Sequence, residues 1–193
     1  IKPPGQTRGV HLELTPEWFQ QYDIPLDWLT GSLRITGPQV HLLFHEVYHE
    51  IQYVDHFPQA ALDTLIIELL SAIRKEREIQ TKIPPPWVKE LKEILHEDSQ
   101  LGPLNELAAR RQIHPVHLSR AFPLYFGEKL GEYNRKLKIL KALRMIKNPE
   151  QSLTQIAFDV GFSDQSHFTR TFKKYVGLSP KKYMQKSMLQ IEC

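Results

Sequence analysis

Cysteine and long apolar runs are nearly absent from the sequence, and their absence excludes several classes of protein. Cys193, the last of 193 residues, is the only cysteine, which excludes an internal disulfide framework and a cysteine-based metal site. No apolar run approaches the roughly 18 residues of a membrane span, and the N-terminus lacks a signal-peptide pattern. We therefore expect a protein of the reducing cytoplasm that has no membrane partner.

The motifs of nucleotide-dependent and hydrolytic enzymes are missing too. The sequence contains no G-x-x-x-x-G-K-[ST] phosphate loop, no G-x-G-x-x-G turn after a strand and no G-x-S-x-G nucleophile turn. We therefore expect no cofactor and no enzymatic activity.

The net charge of +3 divides unevenly between two parts of the chain. Three consecutive prolines at positions 84–86 disfavour a helix and predict a linker. Residues 1–82 carry 7 Lys and Arg against 11 Asp and Glu, whereas residues 83–193 carry 18 against 11. This asymmetry predicts an acidic front region, residues 1–82, and a basic domain, residues 83–193, that binds a polyanion. The alternative is that the basic residues only keep the surface soluble.

An internal repeat lies in the basic part of the chain. Residues 104–109 align with residues 153–158 at an offset of 49. Residues 117–122 align with residues 167–172 at an offset of 50, and both segments read His-x-Ser/Thr-Arg-x-Phe. The sequence therefore contains two copies of one supersecondary unit.

Each copy predicts two helices joined by a tight turn. In the second copy, apolar residues recur at helical spacing over residues 153–160, and Gly161 can adopt a positive φ at the helix end. Ser163 or Asp164 can cap a second helix over residues 165–175. A short helix, a glycine turn and a basic second helix are typical of a helix-turn-helix, whose second helix enters the major groove of DNA. The alternative is a small all-α bundle with a solvated basic face.

A basic helix is predicted between the two copies, over residues 128–147. A helix of that length is about 30 Å long, close to the ~34–36 Å of one turn of duplex DNA. We therefore expect a linker that holds the two helix-turn-helix copies, here called the first and the second head, in successive major grooves, so that one chain reads an asymmetric site.

The second copy also carries a specific family resemblance. Residues 156–183 read IAFDVGFSDQSHFTRTFKKYVGLSPKKY, and residues 87–186 as a whole resemble the DNA-binding domain of the AraC/XylS family of bacterial transcription regulators. The resemblance implies a mainly α fold with a seven-helix, homeodomain-like double helix-turn-helix domain, whose first helix covers residues 87–95. Lys173 and Lys174 are expected to hold phosphates. The base-reading residues implied by motif position are Val116, Ser119, Arg120, Gln165, Ser166, His167, Thr169 and Arg170.

The first copy departs from this pattern at two positions. Gln112 stands where the second copy has Gly161, which predicts a strained or differently shaped turn. Pro123 stands where the second copy has Lys173, and a proline inside a helix removes an amide donor and crowds the preceding turn. We therefore expect the first recognition helix to be shortened or kinked and the second head to be the more regular. A further possibility is that the first head is too distorted to bind DNA and only a protein–protein role survives.

The acidic front region predicts short strands followed by two longer helices. Residues 10–14 alternate between apolar and polar side chains, and Thr15 followed by Pro16 indicates a helix start. Apolar residues at helical spacing predict one helix from Pro38 and another over residues 58–79. The family resemblance implies a sensor or dimerisation region here, which we interpret as partial because residues 1–82 are too few for the usual β-barrel and the chain starts at Ile1.

One motif in the front region suggests a different function. Residues 45–49 read His-Glu-Val-Tyr-His, and H-E-x-x-H on a helix places two imidazoles to bind zinc, with the glutamate as general base. The alternative function is therefore a zinc-binding sensor or a zinc-dependent hydrolase. Helical spacing places His45 and His49 opposite the apolar face, towards solvent, so we expect a solvated surface and no metal site.

The sequence thus predicts a non-enzymatic, sequence-specific DNA-binding transcription factor of the AraC/XylS type in the bacterial cytoplasm, at the nucleoid. The expected partners are double-stranded DNA, RNA polymerase, a second copy of the chain bound through the front helices, and an unknown small-molecule effector.

Overall fold

Helices form all the regular secondary structure in the part of the chain that the computed structural model describes, residues 12–29, 31–53, 59–97, 108–109, 113–148 and 150–188. A 3-10 helix covers Leu26–Leu29. The α-helices are α1 Pro16–Gln21, α2 Pro38–Tyr53, α3 Gln59–Gln80, α4 Pro86–Glu97, α5 Pro115–Phe126, α6 Leu130–Met145, α7 Leu153–Asp159, α8 Gln165–Val176 and α9 Pro180–Met188. None of these helices is long and apolar enough to cross a membrane.

The expectation of short strands in the front region is wrong for the residues that the structure describes there. Val10 and His11 lie outside the described residues, and residues 12–15 are irregular. The predicted helix start at Thr15 is confirmed, because its side chain accepts a hydrogen bond from the Trp18 amide, 3.3 Å away, and caps α1. An alternating segment needs a paired strand to become a sheet, and the capped helix begins immediately after it.

The chain divides into two compact units, residues 1–33 and residues 34–193. In the first unit, Phe19 and Ile24 are buried. In the second, the two long front helices are confirmed as α2 and α3, and the proline segment separates α3 from α4 as predicted. The division of the chain at residue 82 into a sensor region and a DNA-binding domain stays a prediction.

Helix α2 is covered on two sides. One side packs on α3, and the other contacts α6 and α8. Leu42, which is 4% exposed, joins the apolar cluster that contains Ile139 of α6 and Phe168 of α8. The front helix therefore contributes to the core of the second repeat.

The prediction that His45 and His49 point to solvent is wrong. His49 is 5% exposed, and Nε2 of His45 shares a hydrogen bond of 2.7 Å with the hydroxyl of Tyr183 in α9. The cause is the second packing side of α2, which the apolar stripe of the helix alone does not reveal. Within the described residues, no group of three or more His, Cys, Asp or Glu is placed to hold a metal ion.

Helix α6 is shared between two apolar cores. Tyr133, near its start, packs in a cluster with Leu118 and Phe122 of α5. Ile139, further along, packs in the cluster with Phe168. Because one helix enters both cores, it connects the two repeats through buried side chains.

Candidate nucleic-acid interface

Helix α8 is set by a glycine turn and an acidic cap, as the sequence predicts. Gly161 has φ +83°, and the Phe162 amide donates to the Ala157 carbonyl across the turn, at 2.9 Å. The Asp164 carboxylate accepts a hydrogen bond of 2.7 Å from the His167 amide. This hydrogen bond lowers the pKa of Asp164, so the cap is ionised and favours the positive end of the helix dipole.

The two sides of α8 differ sharply in exposure. Phe168 and Phe172 have no exposed surface, whereas Thr169 is half-buried at the edge of the polar side. The exposed members of the predicted contact set on α8 are Gln165, Ser166, His167, Arg170, Lys173 and Lys174. The predicted residues therefore lie together on one accessible face.

Gln165 is positioned by the preceding helix, an interaction that was not predicted from the sequence. The Thr154 hydroxyl of α7 donates to Gln165 Oε1 at 2.7 Å. The two residues occupy the starts of the two helices of the unit, so this bond fixes the side chain at the leading end of α8. A polar residue at the start of each helix is the only sequence signal for it.

Lys138 supports the turn and is not a free basic residue of the linker helix. Its ammonium donates to the Gly161 carbonyl at 2.5 Å and lies 5.4 Å from the centre of the Phe162 ring. Burial lowers the pKa of Lys138. Its hydrogen bond to Gly161 and its contact with the Phe162 ring stabilise the turn before α8.

Lys173 and Lys174 differ in their surroundings. Lys174 Nζ lies 3.7 Å from Glu132 Oε2 in α6, whereas Lys173 makes no ion pair with any residue that the structure describes. Glu132 also accepts hydrogen bonds from the Tyr175 hydroxyl and from Arg135 Nη2, the latter at 2.7 Å. These bonds, Tyr175 first, lower the pKa of Glu132 to about 2. The cluster around Glu132 therefore joins α8 to α6, and its carboxylate partly neutralises the charge of Lys174.

The predicted shortening of the first recognition helix is wrong. Helix α5 contains Pro123 and still has 12 residues, the same number as α8. Phe122 and Phe126 bury on either side of the proline, and this apolar burial offsets the missing amide bond. Gly127 closes the helix with φ +80°, as Gly177 closes α8 with φ +75°.

The start of α5 resembles the start of α8 in function but not in residue type. His114 caps it by accepting the Val116 amide at 3.3 Å, and Pro115 occupies the first helical position. Val116, Ser119 and Arg120 are all exposed. Gln112 lies outside the described residues, so its effect on the turn stays a prediction, and residues 108–109 before it are helical.

The far end of α5 is held by lysines of the front region, a contact that was not predicted from the sequence. Lys75 of α3 donates to the Gly127 carbonyl at 2.7 Å, and Lys82 donates to the Leu124 carbonyl at 3.3 Å. Cations at the carboxyl end of a helix are favoured by its dipole. They support the helix where Pro123 weakens it.

Helix α6 is shorter than the predicted linker. Its 16 residues give a length of about 24 Å, compared with the ~34–36 Å of a duplex turn. The spacing of the two heads along DNA stays a prediction.

Known proteins resemble this chain over its basic part. Residues 107–186 match the family described as a helix-turn-helix domain. The chain is 41% identical to the probable transcription factor PqrA of Proteus vulgaris over 69 residues, which are 36% of this chain and 57% of that protein. It is 32% identical to the multiple antibiotic resistance protein MarA of Escherichia coli over 94 residues, 48% of this chain and 74% of MarA. The chain belongs to the AraC/XylS family. For PqrA, as for other relatives, it spans less than two thirds of their length.

The fold of this AraC/XylS protein has a counterpart among solved structures. The DNA-binding domain of AdpA, a global transcriptional factor solved in complex with a target DNA, superposes with a TM-score of 0.50 at 20% identity. The match covers 55% of this chain and 96% of the AdpA domain. At that identity the likeness concerns the fold, a double helix-turn-helix in which α7 and α8 form the second unit.

Proposed function

We propose that the chain is a sequence-specific, DNA-binding bacterial transcription regulator. It reads two major-groove segments, one with α5 and one with α8. One observation carries the proposal: both helices bury an aromatic face in their own core and place the repeated Ser/Thr-Arg pair on the opposite polar side, where both arginines are exposed. Arginine can address guanine bidentately, and glutamine can address adenine. The proposed base readers are Val116, Ser119, Arg120, Gln165, Ser166, His167, Thr169 and Arg170.

Phosphate binding is proposed for Lys173 before Lys174. Both are exposed, but Lys174 is near Glu132, and a cation that already has a carboxylate partner gains less from a phosphate. The basic balance of residues 83–193 supplies the remaining attraction to DNA.

The front region is proposed to sense or to dimerise. Residues 1–82 include α2 and α3, which contact α5, α6 and α8 directly, so that a ligand or a second copy bound there would reach both heads. RNA polymerase and a small-molecule effector are the further proposed partners, and the cytoplasmic nucleoid is the proposed location.

Selection of bound sequences from a random duplex pool at physiological salt tests the proposal. We expect a bipartite motif with its halves about one helical turn apart, ~10 base pairs. A single half-motif would show that only one of the two helices reads bases, and its loss in Arg170→Ala would assign it to α8, whereas a pool that is not enriched would refute the proposed function.

Two variants then separate base reading from phosphate binding. Arg170→Ala should weaken specific binding by about 1–3 kcal/mol and relax one base position. Lys173→Ala should weaken binding to all sequences alike and lower the salt slope by about one. Arg74→Ala on α3 removes the same charge from an arginine that is paired with Glu78 and lies outside the proposed contact set, and it should leave binding unchanged. A uniform loss in Arg170→Ala would assign that residue to phosphate.

A further inference from the structure

A cavity of about 110 Å³ lies between the front helices and the first head. Its walls come from Gly37, just before α2, Val40 near the start of α2, Ala72 and Glu76 of α3, and Phe126 at the end of α5. A single water molecule needs roughly 10–15 Å³. The cavity is therefore large enough for a small organic molecule, and most of its wall is apolar.

Glu76 places a carboxylate in this wall and uses one oxygen of it. The side chain is nine-tenths buried. Oε1 accepts hydrogen bonds from the amides of Thr36 and Gly37, at 2.5 and 2.9 Å, and from the Thr36 hydroxyl and Gln80 Nε2, at 3.1 and 3.3 Å. These bonds hold the chain that leads into α2.

The other oxygen, Oε2, is buried and accepts no hydrogen bond from any described residue. A Cβ at position 37 would lie 2.8 Å from it, so only a glycine at this position lets the carboxylate pack this closely against the chain. A buried carboxylate oxygen without a donor is costly, and natural proteins keep few such groups.

The cations around the cavity are already engaged. Lys75 donates to the Gly127 carbonyl at 2.7 Å, and Lys136 forms an ion pair with Glu128. Lys92 lies 5.7 Å from the centre of the Phe126 ring. Burial, together with the charges of Glu76 and Glu128, raises the pKa of Tyr133, so the phenol in the wall stays neutral.

We propose that this cavity binds a small organic cation, a primary ammonium on an aromatic or aliphatic body, with the ammonium donating to Glu76 Oε2. A charge-assisted hydrogen bond would satisfy the buried oxygen, and the rings of Tyr125 and Phe126, which line the cavity, would stack on the apolar body or face the cation. The inference gives a site and a chemical class to the effector of the proposed function.

Calorimetric titration of the full chain without DNA tests the site. The probe is 2-phenylethylamine, and the controls are 3-phenylpropionate and 2-phenylethanol, which keep the apolar body and change only the charge. We expect the amine to bind at low millimolar concentration and the two controls to bind at least tenfold more weakly. Equal or tighter binding of the carboxylate, or no binding of the amine, would overturn the proposal.

Variants assign the binding to the carboxylate. Glu76→Gln retains an acceptor for the Thr36 and Gly37 amides but replaces the free oxygen with a donor, and it should weaken amine binding about tenfold or more, as expected for one charge-assisted hydrogen bond. Glu78→Gln, an exposed change on the same helix, should bind like the wild type. If Glu76→Gln does not fold, Ala72→Leu fills the cavity without touching the Oε1 bonds and should abolish binding. Unchanged affinity in the folded variant would overturn the site.

The consequence for DNA rests on the proposed function and is measured separately. Because the end of α5 lines the cavity, whereas α8 is reached through α2, we expect saturating amine to change affinity for the half-site read by the first head more than affinity for the α8 half-site. Equal affinity with and without amine would refute this coupling, whereas calorimetry alone decides whether the cavity binds the cation.

Discussion

The contact between α2 and α9 is the most direct test of how the front region docks on the second head. The Tyr183 hydroxyl and His45 Nε2 share a hydrogen bond of 2.7 Å. Tyr183 is 7% exposed, and its ring lies against Phe172 at a centroid distance of 5.8 Å. The perturbation is Tyr183→Phe, which removes the hydroxyl and retains the ring.

The expected magnitude follows from what the substitution leaves behind. The ring contacts with Phe172 and His49 remain, so little apolar burial is lost. His45 loses its hydroxyl partner in a largely buried position, and leaving a buried polar group unsatisfied costs about 1–3 kcal/mol. We therefore expect the free energy of unfolding to fall by about that amount.

Urea unfolding at neutral pH, followed by circular dichroism, measures this loss. The control is Tyr48→Phe, the same chemical change on α2 at a tyrosine whose hydroxyl has no hydrogen-bond partner among the described residues. The control should change the free energy of unfolding by less than about 0.5 kcal/mol. If Tyr183→Phe costs no more than Tyr48→Phe, the hydrogen bond does not stabilise the docking of α2 and the reasoning fails.

Three other perturbations give independent tests. Burial, followed by the charges of Lys147 and His49, lowers the pKa of His45 from 6.5 to about 4. The stability that this group contributes above pH 6.5, up to about 3 kcal/mol, should therefore be lost as the pH falls towards 4. Urea unfolding at several pH values should show that the free energy of unfolding of His45→Gln depends less on pH than that of the wild type. Glu132→Gln should lower the free energy of unfolding by about 1 kcal/mol or less, since the side chain is a third exposed and screened, and this difference, measured by urea unfolding, should narrow as pH falls below 4.5 towards the folded pKa of about 2. Asp164→Ala should speed hydrogen exchange of the amides in the first turn of α8, whereas Asp164→Asn should retain most of the protection; equal exchange in both variants would contradict the capping role.

The second head was predictable because its signals are local. Gly161, Asp164 and the paired phenylalanines of α8 each act within a few residues of their own position, so a helix-turn-helix follows from spacing alone. The first head was predicted less well for the opposite reason. Pro123 is a proline inside a helix, which the sequence alone predicts to be disruptive. The helix is stabilised by the burial of the neighbouring Phe122 and Phe126 and by hydrogen bonds from Lys75 and Lys82, two residues that are distant in sequence.

The docking of the front region could not be predicted from α2 by itself. Its apolar stripe indicates one buried side, and histidines on the opposite side suggest solvent. Imidazole combines an apolar ring with a polar tip, so His45 and His49 can pack against Tyr183 when a helix covers them. Whether a helix covers them depends on tertiary contacts between distant parts of the chain. His45 and Tyr183, which share the hydrogen bond, are 138 residues apart in sequence.

The repeat itself contains the signal that was available. Tyr133 and Tyr183 occupy equivalent positions in the two copies, and both are buried against the front helices. Tyr183 shares a hydrogen bond with His45 of α2. Tyr133 lies in the cavity wall with Glu76 of α3, whose charge contributes to the raised pKa of the tyrosine. A repeated tyrosine whose copies both bury a polar tip needs a polar partner for each copy. Since the repeat unit is the same in both heads, the difference in surroundings comes from the front region, which gives Tyr183 a histidine as hydrogen-bond partner and places the charge of Glu76 near Tyr133. A change at α2 or α3 therefore reaches each head through a chemically different contact, and the two heads can be perturbed separately from one pair of helices.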